Sequence, residues 1–466
     1  MTGHGFGWLW AVLVMATQVS YAAETPFELP ADAKILDPDV IIYGGPRPVI
    51  SPDGEWVAYV SRGFVCVSSV DGGKPTRLFE VPESWTHFLA LPENEFAEGD
   101  FGTLARSLSQ DEYRQMLKQI KQELSGLQWT IESDGVVFGV LSHDPAKQLS
   151  RSVYLAPLTG DVIRISHSEQ STPTQARGVG GDFKMTRDRR YMVMSLQWGK
   201  ALIWEVERDR PRATCFLNMT PSSTSDRWIA VEKDTRELVI LDREFSVIRR
   251  FDEVIEPNQF GYKMYWSPDE RNVICQTQVG FDHFSNWEGF RLDLQTMERR
   301  PMSGSFMNEL IEFTGQGGEF VRVGSAGDMQ GREGIQPTTS YLKVVPTGPG
   351  ATKDLWQIRA DSTNPRNGPR LTYEPQMTHS PDFSLFTLGL PRQGVGPHGV
   401  VQHLLDRQGR LWTLSPHDLG GYRTPCDVVG FAKKGQMIIG YDQHRLFAIP
   451  VGSIQTPANK VPNVVE

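Results

Sequence analysis

The sequence predicts an all-β protein, a single β-propeller of about eight four-stranded blades, with seven as the alternative count. Three observations carry this. One turn-plus-strand pattern recurs about eight times along the 466 residues. Gly 44 and Pro 31 punctuate the chain as many short strands joined by turns require. A composition of 39% hydrophobic and 22% charged residues is that of a globular chain, long enough for one large domain.

The repeat is clearest at Ser51-Pro52-Asp53-Gly54, followed by the apolar run from Trp56 to Val60. Pro at the second position presets φ for a turn, Asp sits comfortably next to it, and Gly closes a type I turn. The pattern returns at Ser267-Pro268-Asp269 and Ser380-Pro381-Asp382, more weakly at Thr186-Arg187-Asp188 and Thr224-Ser225-Asp226. The faintest copies are at Ser133-Asp134-Gly135, Gly317-Gly318-Glu319 and Lys434-Gly435-Gln436. After each copy comes another apolar strand, a polar turn such as Asp71-Gly72-Gly73 or Gly160-Asp161, and a fourth strand. Each unit of roughly 40 to 50 residues therefore reads as an antiparallel meander, one propeller blade. A single blade cannot bury both of its faces, whereas blades arranged around an axis cover one another.

The run from Ser51 to Ser61, followed by Val67 to Leu78, resembles the TolB-like, WD40-like propeller repeat. It is also similar to the propeller domain of prolyl oligopeptidase and dipeptidyl peptidase IV relatives. The resemblance spans residues 40–451 and implies a fold, which hosts many activities. There is no room for the α/β domain that precedes the propeller in TolB. The peptidases' hydrolase domain is absent too, since no G-x-S-x-G elbow occurs.

Taken in order, residues 1–22 read as a signal peptide. Positions 7–16 are an apolar core too short to span a bilayer comfortably, and Ser20-Tyr21-Ala22 offers small residues at the two positions a signal peptidase reads, for cleavage near Ala22 or Ala23. Only His4 precedes that core as a positive group, so an uncleaved anchor is the alternative. Residues 23–38 form an extension, 39–452 the propeller and 453–466 a polar tail. The last repeat lacks a fourth strand after Leu446-Phe447-Ala448-Ile449, and residues 39–43 are expected to supply it. A helix is expected near 109–125. It opens on the capping box Ser109-Gln110-Asp111-Glu112 and closes at Ser125-Gly126, with Tyr113, Met116, Leu117, Ile120 and Leu124 at helical spacing. It packs on its own propeller, docks a partner or serves as a lid. Cys66, Cys215, Cys275 and Cys426 show no CxxC pair and read as buried small hydrophobes.

Function is expected on one face. The first-to-second-strand turns are short, whereas residues 143–151, 280–289, 324–339 and 392–399 make long second-to-third-strand loops. Insertions at 82–127 and 359–373 join them on that side. Phe281, His283 and Trp287 in one loop can stack on a sugar or grip a peptide, or else plug the channel. Arg332 and His398 stand in two others. His143 and His403 lie in or beside the same face. Asn218-Met219-Thr220 is a glycosylation sequon. The Gly-rich run 393–399 lacks the Lys and helix of a phosphate loop. No HExxH spacing, metal set or catalytic triad is legible, and no cofactor is expected. The net charge of −9 argues against nucleic acid. The expectation is a secreted or periplasmic monomeric scaffold that binds a protein or polysaccharide. A carbohydrate-active enzyme, lyase or hydrolase, with its site at the channel mouth is the alternative.

Overall fold

A computed structural model describes residues 29–40, 46–81, 122–142, 149–170, 183–195, 201–208, 210–212, 214–251, 259–279, 286–302, 310–314, 317–328, 336–348, 350–359, 378–391, 400–408, 410–413, 427–442 and 445–454. These form eight four-stranded antiparallel sheets, seven of them meanders in chain order. Blades 1 to 7 occupy residues 49–80, 122–170, 183–212, 216–251, 259–302, 310–359 and 378–413. Blade 8 takes three strands from 427–450 and its fourth from Lys34–Asp37.

Burial follows radius. Second strands such as Trp56–Ser61 and third strands such as Leu238–Leu241 are buried on both sides, so they are almost continuously apolar instead of alternating. Outermost strands such as Thr76–Glu80 and Val247–Phe251 are largely exposed. Eight apolar clusters occupy the eight seams between neighbouring blades. At the blade 1–2 seam, Ala58, Val60 and Val65 meet Leu127, Val136 and Phe138. At the blade 4–5 seam, Ile229, Val231 and Phe251 meet Met264, Trp266 and Val273.

The repeated turn is a hydrogen-bonded device. Ser51 Oγ donates to Asp53 Oδ1 at 2.5 Å and accepts from Trp56 N–H at 2.9 Å, while Glu55 N–H donates to Asp53 Oδ1 at 3.0 Å. Ser267 with Asp269, Ser380 with Asp382, and Thr186 with Asp188 repeat the set. The fourth residue is left-handed in each: Gly54, Glu270, Phe383 and Arg189 have φ between 55 and 76. These turns also stitch blade to blade. Lys433 N–H donates to Gly54 O at 3.0 Å, and Asp53 N–H to Ser133 Oγ at 3.0 Å. Arg187 reaches Ser223 O at 3.0 Å, and Ser222, Ser225 and Arg227 converge on Glu270.

Ring closure departs from the expected residues. The strand pairing with Leu446–Pro450 is Lys34–Asp37, upstream of 39–43. Asp39 and Val40 lie outside any strand, and 41–43 lie outside the described residues. The side chains explain the choice of segment. Leu36 is buried in the blade 8–1 cluster, and Tyr59 of blade 1 donates to Asp37 Oδ2 at 2.6 Å. Burial first, then this hydrogen bond, raises the Tyr59 pKa. Lys34 and Lys433 both reach Asp71, holding its carboxyl down at about 2.

Three other expectations change. Residues 122–125, the end of the predicted helix, open the blade 2 strand Gln122–Trp129, and 109–121 lie outside the described residues. Gly126 is no helix cap, since its φ of 66 serves a bulge between Ser125 and Leu127. Of the cysteines, Cys66 and Cys275 are buried, and burial pushes both thiols up to about 12. Cys215 is exposed, because it precedes the blade 4 strand Phe216–Pro221 rather than sitting within it, and Cys426 lies outside the described residues. The signal peptide and residues 455–466 also lie outside.

A Cβ on Gly54 would stand 2.8 Å from Lys433 N at a φ of 76. Gly54→Ala is therefore expected to cost roughly 2–4 kcal/mol, from left-handed strain and a displaced seam. Gly73→Ala, with nothing within 4 Å, should cost less. Urea denaturation of the two variants compares them.

Candidate functional site

The face opposite the short turns is uneven, because blades differ in height. Blade 8's second and third strands have 5 residues each, and blade 3's likewise. Blade 5 has 8 and 8, and blade 7 has 7 and 7. Blade 6 has 10 and 11, Glu319–Asp328 paired with Gln336–Pro346 down to Asp328 opposite Gln336. All of these strands leave from or return to the short-turn side, so the extra residues project from the other face. At ~3.3 Å per residue, the blade 6 hairpin stands roughly 16 Å higher than blade 8. Blades 5, 6 and 7 thus make a continuous tall wall, with blade 2 across the ring matching it at 8 and 9 residues and blades 8, 1, 3 and 4 standing lower.

The candidate residues fall in sequence between or within strands of those three blades. Phe281 and His283 lie between the blade 5 strands ending at Val279 and resuming at Asn286. Arg332 lies between Asp328 and Gln336 of blade 6, and His398 between Pro391 and Val400 of blade 7. All four are outside the described residues, as is His143. Trp287, expected in a loop, is the second residue of the blade 5 strand Asn286–Asp293, opposite Gln278. Likewise 324–328 and 336–339 of the expected blade 6 loop are strand. Small and polar residues there are held by ladder hydrogen bonds rather than by apolar alternation, so periodicity does not reveal them.

His403 lies mid-strand in blade 7, opposite Leu388, rather than in a loop. Burial lowers its pKa to about 4, which keeps the ring neutral near pH 7. Among the described residues no three His, Cys, Asp or Glu side chains gather as a metal set would.

Sequence reasoning passed over His379, seen there only as part of a turn. Its Nδ1 is 2.8 Å from Ser380 O and its Nε2 2.7 Å from Glu312 Oε2, so both nitrogens face acceptors and the imidazolium alone donates to both. The ring stacks on Phe383 with centroids 3.7 Å apart. Burial opposes the charge, but the Glu312 hydrogen bond and carboxylate outweigh it and raise the pKa above 6.5. The pair joins the innermost strands of blades 6 and 7 and so ties the two blades together. A small cleft on the short-turn face, between blades 3 and 4, includes Arg187, Asp226, Arg227 and Arg243. Arg187 and Arg227 there are engaged with Asp226 and Glu270. Asn218 sits in a bulge of blade 4's innermost strand at φ 50, its Nδ2 buried.

Two outcomes follow. The folded pKa of His379 exceeds the unfolded value, so its contribution is complete below about pH 6.5 and is lost as pH rises through the folded value. His379→Gln is expected to destabilise by about 1 kcal/mol at pH 5.5, an advantage of the wild type that shrinks as pH rises through the folded value, read by thermal melts. The buried Nδ2 of Asn218 leaves no room for a glycan, so expression in a glycosylating host should add no mass at this sequon.

No family model matches the chain, and no curated protein matches it. Among solved structures it is similar to the β-propeller domain of the trilobed protease from Pyrococcus furiosus, at 12% identity and a TM-score of 0.39, covering 71% of this chain and 95% of that one. It is similar also to oligogalacturonate lyase from Vibrio parahaemolyticus, at 11% identity and 0.40, covering 70% and 89%. A chain of the mitotic checkpoint complex matches at 12% identity and 0.37, covering 70% and 86%. These are likenesses of fold, and the eight blades rest on this chain's own strand pairing.

Proposed function

We propose that the protein is an exported, monomeric binding scaffold that holds a protein or glycan on its tall-walled face, without chemistry of its own. The supporting observation is the height of blades 5 to 7. Ring closure needs no strand longer than about five residues, as blades 3 and 8 demonstrate. The additional length, shared by blade 2 but continuous only over blades 5 to 7, is not needed for closure. It raises the ends of three strand pairs, and Phe281, His283, Arg332 and His398 fall in sequence between those paired strands. Aromatic faces stack on sugar rings or apolar side chains, and a guanidinium forks onto carboxylates. Export rests on the apolar stretch at 7–16 followed by Ala22 and Ala23. Among the described residues no helix is long and apolar enough to cross a membrane.

The test is a panel of immobilised polysaccharides and candidate proteins, with and without EDTA. Binding is expected to ignore EDTA and to fall about tenfold in Phe281→Ala and in Arg332→Ala, whose melting should match the wild type. Turnover of a glycan, abolished by EDTA, would replace this reading with the lyase or hydrolase one. Retained binding in both variants would remove it.

A further inference from the structure

The eight outermost strands form the outer wall of the ring, and their charges are unevenly shared. Thr76–Glu80, Ile163–Gln170 and Lys34–Asp37 each carry one Lys or Arg and one Asp or Glu, and Lys353–Arg359 carries two basic residues and one acidic. Leu411–Thr413 carries neither. Blades 3, 4 and 5 differ: Arg210–Arg212, Val247–Phe251 and Arg299–Met302 carry two arginines each and no carboxylate. One basic residue per edge is enough to deter edge-to-edge pairing. Six on three successive blades, in a chain of net charge −9, exceed that need.

Half of the six are neutralised in place. Arg210 pairs with Glu205, Arg250 with Glu232 and Glu237, and Arg300 with Glu298. The other half, one per blade, have no carboxylate partner among the described residues. Arg212 donates to Glu244 O at 3.0 Å, Arg249 lies 4.6 Å over the Phe251 ring, and Arg299 lies 4.1 Å over Phe290. The aromatic faces hold the last two guanidiniums against the wall at exposed residues. Ile248 and Met297 stand beside them, 52% and 40% exposed.

We propose that this arginine band is a binding site for a linear, flexible acidic polysaccharide wrapped along the outer wall of blades 3 to 5. The shape of the wall selects the class of partner. With sheets packed ~10 Å apart and strands ~4.8 Å apart, eight blades place neighbouring outer strands roughly 15 Å apart on a radius of about 20 Å. Blades 3 and 5 then recede about 6 Å behind blade 4 as seen by a plane. A flat lipid surface or a stiff DNA duplex, with a persistence length of about 150 bp, meets one blade at a time. A bending chain of carboxylated or sulfated sugars meets all three. The overall negative charge does not prevent this, because screening confines each field to about 8–10 Å. This site is separate from the tall-walled face and stands whether or not that face binds a ligand.

The probes are heparin and alginate, titrated onto the full chain at 50 and 200 mM salt. Binding is expected at low salt, weakened at high salt. Arg212→Gln, Arg249→Gln and Arg299→Gln combined should lose at least tenfold in affinity with unchanged melting, while Lys at the same three positions retains most of it. A control of equal charge, Lys74→Gln, Arg164→Gln and Lys353→Gln, should stay within twofold of the wild type. The proposal fails if neither polysaccharide binds, or if the control loses as much. It fails too if anionic vesicles or a DNA duplex bind more tightly at equal charge. Weakening by Phe281→Ala would move the site to the loop face and overturn it as well.

Discussion

Each blade of this ring has two apolar faces and needs a neighbour on both, so the arrangement has no admissible free end. The requirement is met where Lys34–Asp37 joins the three strands at the C-terminus. That strand completes a sheet, and its Leu36 and Asp37 face blade 1 to fill the last seam. A fully buried tyrosine donating to a carboxylate is a strong local constraint, since Asp37 with no donor would be costly to desolvate. Asp71, shared by Lys34 and Lys433, ties the same three segments together from outside.

The hydroxyl–aspartate turns set the spacing of everything else. Their internal hydrogen bonds satisfy groups that would otherwise demand solvent, and this lets turns of neighbouring blades touch. Gly317 shows how close they come, with the Asp269 carboxylate 2.8 Å from where a Cβ would be. A face occupied in this way is unavailable for variation. Elaboration is left to the opposite face and to the outer wall, where strand ends and exposed edges tolerate change.

Blade number and fold were legible because Ser-Pro-Asp turns, left-handed fourth residues and two-sided apolar strands recur together, and each has one structural meaning. Ser125-Gly126 had two. A glycine following polar residues ends a helix or relaxes a bulge, and only pairing with Gly135–Ser142 decides. Residues 39–43 are more apolar than Lys34–Asp37, yet the latter closes the ring because Tyr59 and Asp71 offer partners to its charged ends. The height of the blade 6 hairpin was hidden for a related reason, since Gly324, Ser325 and Gly327 form strand without strand-like composition. His379 was invisible because its partner Glu312 lies 67 positions away in sequence.

The pairing of Lys34 with Ala448 also imposes an order in time. Blades 1 to 7 are each assembled from contiguous chain and can form as the chain is synthesised. Blade 8 cannot, because one of its strands comes first and the other three come last. The N-terminal strand must therefore wait, unpaired and amphipathic, while about nine-tenths of the protein follows it. Closing so long a loop is the slow, entropically costly event of folding for such a topology. Until it occurs, the facing sides of blades 1 and 8 are exposed, so the half-made ring is open at its first and last blades to any chaperone that holds unfolded chain.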